Sequence, residues 1–210
     1  MLLMMFSAGS IGGAITGAVA QRLGAGDRTG AESLALHAVL LAALLSGLSA
    51  LIFLSGGPLI YRVLGGSGEV LNEALAYSDT LFIGCTSMWL ANCLAAIVRA
   101  TGHMKVTAKY LVAGSIVQVI MAALLIFGLG PFPKMGIAGA AGGVVIGYLV
   151  AFFLLLYFLT AQCEELRLRF SGIRLRLTPM IAILKVGALS SVNSLCWNSL
   201  HNQSHYTLLT

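Results

Sequence analysis

Few side chains in this 210-residue chain have the chemistry of a site, and those that do stand inside long apolar runs. Asp79 lies one turn into the run Leu75–Val98 from its outer end. An ionisable group within a membrane span costs a few kcal/mol, so it asks for a role. Two roles are open to Asp79: a cation- or proton-coupling site facing outward, or a solvated helix-start carboxylate suited to the positive end of the helix dipole. Asn92 sits deeper in the same run with Thr86 and Ser87 above it, and Gln118 is near the middle of the run Val106–Leu129. Neutral polar groups at that depth either hold helices together by hydrogen bonds or line a pathway. Trp89, placed mid-run rather than at an interface, is a cavity wall for an aromatic or cationic ligand or a core packing residue. His37, one turn inside the inner end of the second run, titrates near neutral pH if water reaches it, or is merely interfacial.

Soluble-enzyme constellations are missing. The sequence holds no HExxH, GxSxG or Walker pattern, each of which carries a defined chemistry. His201 and His205 are four residues apart, but two histidines without a third ligand make no metal site. Cys85, Cys93, Cys163 and Cys196 show no CxxC spacing, so they imply neither a disulfide framework nor zinc and read as small apolar residues. The expectation is a protein that is not an enzyme, with no catalytic residue, no metal and no cofactor.

The elements that must position these residues are written in the apolar pattern. Runs at Met1–Ala20, Leu34–Leu54, Leu75–Val98, Val106–Leu129 and Ile137–Leu159 each approach the roughly 20 residues a helix needs to cross hydrocarbon. A weaker sixth begins near Met180 and dissolves into HNQSHYTLLT. The expected fold is all-α: a polytopic membrane helix bundle of five full transmembrane helices plus a partial sixth, because a lipid-exposed strand would leave backbone groups unpaired. Ten of the twelve Lys and Arg fall in alternate gaps: Arg22 and Arg28, then Arg99, Lys105 and Lys109, then Arg167, Arg169, Arg174, Arg176 and Lys185. The other gaps hold only Arg62 and Lys134. Cytoplasmic loops keep the excess of cations, so the first span runs from outside to inside.

Composition agrees. A hydrophobic fraction of 59% against a charged fraction of 9%, and a mean hydropathy of +0.96, exclude an ordinary water-soluble domain, where about a quarter of residues are charged. The net charge of +5 is accounted for by the cytoplasmic gaps. No basic stripe shares a face with stacking aromatics, so nucleic acid is not an expected partner. Ala18, Val19 and Ala20 resemble a signal-peptide cleavage site, but no basic residue precedes the apolar stretch and more spans follow, so cleavage is not expected.

Residues 1–160 are read as a partial bundle of five transmembrane helices, 161–179 as a basic cytoplasmic connector lying on anionic lipid, and 180–210 as the start of a further, truncated helix. The chain reads as an excised middle: a first span arriving from outside needs an earlier span or a translocated N-terminus, and the last ten or so residues read as a truncation or reading-frame product. Within the spans, Gly9, Gly13 and Gly17, and again Gly139, Gly143 and Gly147, recur every fourth residue. Each series makes a groove for close helix packing. In the outer gap at 56–74, Pro58–Leu64 is expected to form a short interfacial turn, broken by Gly65, Gly66 and Gly68. Pro131 and Pro133 mark a tight outer link.

The loops carry more identity than the helices. QRLGAGD at Gln21–Asp27, the turn Arg99–Ala100–Thr101–Gly102, and above all LLIFGLGPFPKMGIAGAA at Leu124–Ala141 resemble the multidrug and toxic compound extrusion (MATE) family. The resemblance covers almost the whole chain. It implies twelve helices in two six-helix bundles around a central cleft, exporting cationic or amphipathic compounds by H⁺ or Na⁺ antiport through alternating access, in a bacterial inner membrane. This chain would then supply the second to sixth helices and the start of the seventh, partnered by membrane lipids and by the missing remainder of the transporter. Where the family often shows an Asn and then an Asp before LLIFG, this chain has Gln118 and Ala122, and Val144 stands near a position that is commonly small and polar. The resemblance therefore moves ion coupling to Asp79 or to carboxylates of the second bundle. A lipid-linked saccharide flippase of related fold, which would display basic residues in its cleft, and a non-transporting membrane scaffold are the alternatives.

Overall fold

A computed structural model describes residues 2–63, 67–128, 134–163, 165 and 166, with side chains from residue 12 onward. The described residues are helical and contain no strand. In chain order they form α1 (Leu2–Gly24), α2 (Arg28–Val63), α3 (Gly68–Ile83), α4 (Cys85–Ala100), α5 (Met104–Phe127) and α6 (Ile137–Tyr157), with a π-turn at Phe158–Gln162. Among these residues α2, α5 and α6 with its π-turn are long and apolar enough to cross a membrane, and α3 with α4 make a fourth span if the bent pair is counted as one. The connector past Leu166, the run from Met180, Cys196, His201, His205, Pro131 and Pro133 lie outside the described residues, as do Gly65 and Gly66.

Two sequence expectations are corrected. The segment at 58–63 is no turn: α2 runs unbroken through Pro58 for 36 residues, about 54 Å at 1.5 Å per residue. Proline removes a backbone donor, at a local cost that tertiary contacts can offset. Here side chains anchor the far segment to α3. Gly57 is buried against Leu75, Phe53 stacks on Phe82 with centroids 4.5 Å apart, and the Tyr61 hydroxyl hydrogen-bonds Ser78. The second correction is that the run Leu75–Val98 is not one straight helix. It breaks at Gly84 with a bend of 45°.

The turn Gln21–Asp27 shows why its sequence is what it is. Gly26 has φ 76, a left-handed conformation that glycine adopts without steric cost. Its N–H reaches the Leu23 carbonyl and the Asp27 N–H reaches the Arg22 carbonyl, each at 3.0 Å, closing α1 in a Schellman pattern. Asp27 then caps α2: Oδ1 accepts the Gly30 N–H at 2.9 Å and Oδ2 pairs with Arg22 at 2.9 Å. The Gly30 backbone bond, aided by Arg22 and Thr29, holds the Asp27 carboxyl below its ordinary value of 3.8. A depressed carboxylate lends its cap above that ordinary value and loses it as pH falls through the lower folded value. Gly102, with φ 85, turns the chain between α4 and α5.

The buried core is gathered at this end of the bundle. Ile15 and Val19 of α1, residues of α2 between Leu34 and Ala42, Cys93 to Val98 of α4, Leu155 of α6, and Phe158, Leu159, Cys163 and Leu166 beyond it form one cluster. Thr16 Oγ1, 3.0 Å from the Ala96 carbonyl, ties α1 to α4. His37 is buried here, its Nδ1 donating to the Ser33 carbonyl at 2.6 Å. At the other end large apolar side chains such as Leu51, Leu59 and Val63 of α2 and Val119 and Phe127 of α5 face outward, which is what a lipid-facing surface requires.

The closest helix pair is α5 with α6, and glycine makes it possible. A Cβ on Gly139 would lie 2.6 Å from the Leu125 carbonyl carbon, one on Gly143 2.6 Å from Ala122 Cα, and one on Gly147 2.5 Å from Gln118 Cβ. Gly114 returns the favour from α5, with the Gly147 carbonyl 2.7 Å from where its Cβ would be. The α1 series sits differently. A Cβ on Gly13 or Gly17 would meet nothing within 4 Å among the described residues, and of Gly9 only the backbone is described. Gly143→Leu is therefore expected to cost about 1–3 kcal/mol by forcing the two backbones apart, whereas Gly13→Ala and Gly17→Ala should be neutral or gain up to about 1 kcal/mol from reduced unfolded-state freedom. Thermal unfolding of the three variants in detergent checks the contrast.

Candidate functional site

A cleft opens beside the break between α3 and α4. Gly84 ends α3 and begins α4 with φ −83 and ψ −2, so its conformation is open to any residue and the need for glycine is one of space. A Cβ there would lie 2.1 Å from Val145 Cγ2 and 2.8 Å from Val145 Cβ on α6. Val145 thus wedges into the elbow, and the elbow has no room for a side chain of its own. The Gly84 N–H still reaches the Thr80 carbonyl at 3.2 Å, while its carbonyl accepts from Ser87 N–H at 3.0 Å and from Ser87 Oγ at 2.7 Å. The bend is made without leaving that group unpaired.

Beside this elbow lies a cavity of about 660 Å³, bounded by α3, α4, α6 and the outer end of α5. Thr80, Thr86 and Ser87 are its polar lining; Leu90, Leu125, Ile146, Leu149 and Phe152 are among its apolar walls. Each hydroxyl already has a nearby partner. Thr80 donates to the Ala76 carbonyl at 2.8 Å, Ser87 to Gly84, and the Thr86 oxygen lies 3.2 Å from Ser46 Oγ of α2. What these side chains offer a ligand is oxygen lone pairs, because a hydroxyl has one proton and two acceptor sites. Among the described residues no cation lines the cavity. Its size lies within the range of small-molecule pockets, and its largely apolar wall with a few polar groups is their usual composition.

The candidates read from sequence are only partly brought together. Thr86 lines the cavity. Asp79 is half-buried on α3, adjacent in sequence to Thr80 and one helical turn before Ile83, both in the lining. Trp89 and Asn92 are half-buried on α4 but outside the lining, and the Asn92 amide donates to the Met88 carbonyl of its own helix at 2.8 Å. Gln118 belongs to the α5–α6 seam, its stem packed over Gly147. Gly84, Val145 and Thr80 carry the site and were not singled out by sequence. A lone glycine in an apolar run looks the same whether or not another helix presses on it.

Comparison with known proteins places this arrangement in context. A family model described as MatE matches residues 1–124. The FAD transporter of Shewanella oneidensis is 30% identical over 142 residues, which are 67% of this chain and 31% of that protein. The probable multidrug resistance protein NorM of Thermotoga maritima is 27% identical over 194 residues, 91% of this chain and 41% of that one. The probable multidrug resistance protein YoeA of Bacillus subtilis is 25% identical over 137 residues, 64% of this chain and 30% of that one. The crystal structure of MATE in the bent conformation superposes with a TM-score of 0.81 at 25% identity, over 90% of this chain and 42% of that one. The chain thus spans between about a third and two fifths of the length of the proteins it resembles.

The elbow generates a test of its own. Gly84→Ala is expected to lose about 1–3 kcal/mol of stability through its collision with Val145, and adding Val145→Ala should return most of that loss. A double-mutant cycle by thermal unfolding in detergent measures the coupling; additive losses would mean that the two residues do not meet.

Proposed function

The chain belongs to the MatE family, it is an integral multi-pass membrane protein, and from that premise we propose that it forms most of one bundle of a secondary efflux transporter for cationic or amphipathic compounds. The observation that carries the reading is the broken span at Gly84 beside an apolar cavity whose polar groups present only hydroxyl oxygens. Discontinuous membrane helices mark substrate and ion sites in many secondary transporters. A wall of this kind suits a hydrophobic body with one delocalised positive charge, which lone pairs stabilise without the desolvation cost of a buried carboxylate. A dinucleotide, which the name of the Shewanella relative gives as its cargo, or a lipid-linked saccharide phosphate would call for cations in the lining, and the lining has none.

The proposed mechanism is alternating access driven by H⁺ or Na⁺ entry. A monovalent cation moving through about 100 mV supplies about 2.3 kcal/mol, enough for roughly fifty-fold substrate accumulation at one-to-one coupling. Asp79 is the proposed coupling residue within this bundle, since its helix runs directly into the elbow. Because the chain spans about two fifths of the length of the transporters it superposes on, the transporting unit is proposed to be a longer chain, and residues 1–210 alone to be inactive.

Accumulation of a fluorescent lipophilic cation tests this in cells carrying or lacking the full parent gene, with and without an uncoupler. The expected result is lower accumulation with the gene and loss of that difference on uncoupling. Thr86→Phe, which fills the cavity, should abolish export, and Asp79→Asn should remove the ion-dependent part. Unchanged export by Thr86→Phe would separate the cavity from the substrate path, and gene-independent accumulation would leave a scaffold as the better reading.

A further inference from the structure

At the end of the bundle opposite the outward-facing apolar side chains of α2, three metal-ligating side chains converge from segments some sixty residues apart. His103 stands in the turn between α4 and α5, Cys163 closes the π-turn after α6, and Glu165 follows two residues on. Their donor atoms all lie within 4.8 Å of one another. His103 Nδ1 is 3.4 Å from Glu165 Oε2, and Cys163 Sγ is 3.8 Å from the same oxygen.

Those separations can be compared with what a metal would impose. Zinc bonds of about 2.05 Å to nitrogen or oxygen and about 2.3 Å to sulfur, at tetrahedral angles, put N and O about 3.3 Å apart and S and O about 3.6 Å apart. The His103–Glu165 and Cys163–Glu165 distances need adjustments of only a few tenths of an ångström, while the His103 and Cys163 donor atoms, within 4.8 Å of each other, would close by up to about 1 Å. Without an ion, one carboxylate oxygen of Glu165 gathers both groups, pairing with His103 Nδ1 and accepting a hydrogen bond from the Cys163 thiol.

The surrounding structure holds the three in place. The Cys163 N–H bonds the Phe158 carbonyl at 2.9 Å, closing the π-turn; such turns are rare and frequent at functional sites. The Phe158 ring meets the His103 imidazole edge-on, centroids 5.2 Å apart. Thr101 Oγ1, which donates to the Val98 carbonyl at 2.8 Å, is 3.1 Å from His103 Nδ1. It holds the same ring nitrogen that faces Glu165, a contact that a metal on Nδ1 would replace. Cys163 is buried while Glu165 is exposed, so the cluster has a protected floor and a face open to water.

We propose that His103, Cys163 and Glu165 form a site for one borderline-soft divalent cation of the zinc class, with water in the fourth position. Thiolate with imidazole selects against the hard ions Mg²⁺ and Ca²⁺. The ion takes the thiolate form of Cys163 and an unprotonated imidazole nitrogen of His103, so the thiol proton leaves on binding. The ion fastens the α4–α5 turn to the chain that leaves α6, joining two segments otherwise linked by side-chain packing. The site stands independently of the transport reading.

Titrating the full chain, purified in detergent under reducing conditions, with Co²⁺ tests the site. The expected result is a thiolate-to-cobalt charge-transfer band that saturates at one equivalent and is erased by Zn²⁺. Cys163→Ser should abolish the band, and His103→Asn and Glu165→Gln should each weaken binding by more than about tenfold, with helix content by circular dichroism unchanged. As a check that needs no variant, Zn²⁺ but not Mg²⁺ should protect Cys163 of the native chain from alkylation, read by mass spectrometry. A band that is absent or survives Cys163→Ser in a folded protein overturns the proposal, as does alkylation of Cys163 that Zn²⁺ leaves unchanged.

Discussion

Everything in this bundle depends on how closely α6 can approach its neighbours. In lipid the hydrophobic effect does not drive one apolar helix against another, so association relies on packing and hydrogen bonds. The stripe Gly139, Gly143, Gly147 lets the α6 backbone come against Ala122, Gln118 and Gly114 of α5. On another face of the same helix, Val145 enters the space left by the missing side chain of Gly84. α6 is thus the common wall against which both the α5 seam and the α3–α4 elbow are built. Enlarging a residue on either face moves the other, because a helix backbone transmits displacement along its length.

A second consequence is the uneven distribution of burial. Where the α1–α2 turn, the α4–α5 turn and the end of α6 meet, the chain encloses a continuous core of small and branched residues, with Ala35, Ala91, Ala95, Ile97 and Leu159 fully covered. Toward the opposite end α2 and α5 present large apolar side chains outward, and contacts there are discrete: Phe53 on Phe82, Tyr61 with Ser78, Gly57 on Leu75. A tightly packed foot and a loosely tied upper half would suit the proposed mechanism, in which helices separate at one end while staying joined at the other. Rigid-body rocking about a fixed region is the general form of alternating access.

Much of this was legible in sequence, for reasons that can be named. Apolar runs near 20 residues and the alternation of Arg and Lys report the solvent, which acts on every residue at once, so the helical membrane fold follows from composition and order. Gly26 followed by Asp27 is a local signal because the left-handed cap and the side-chain cap involve only neighbours in sequence. The contacts between segments were not legible. Gly13 and Gly139 belong to identical four-residue series, yet among the described residues only the second meets a backbone, and nothing local distinguishes them. Pro58 reads as a stop because its cost is local, while the contacts that carry α2 past it come from α3. His103 and Cys163 look unremarkable apart and become a cluster only through the turn and π-turn that join them.

The elbow explains how a bundle with so few charges could still respond to an ion. Of the hydroxyls lining the cavity, Thr80 and Ser87 direct their protons to carbonyls of the same helix region and Thr86 accepts from Ser46, and the described wall carries no ionisable side chain. An ion-dependent change must then enter through a group outside the wall that is mechanically joined to it. Asp79 meets that description: it lies on α3, beside Thr80, and five residues from the bend. Neutralising or binding a cation at that carboxylate changes the hydration its half of the span requires, and a helix half that shifts toward or away from water must pivot where its ladder is weakest. That pivot is Gly84, and its range is set by the Val145 side chain seated in it. In the proposed mechanism the same absence of bulk that creates the cavity would provide the hinge, so that an ion at Asp79 and a substrate in the cavity could act on each other from separate residues.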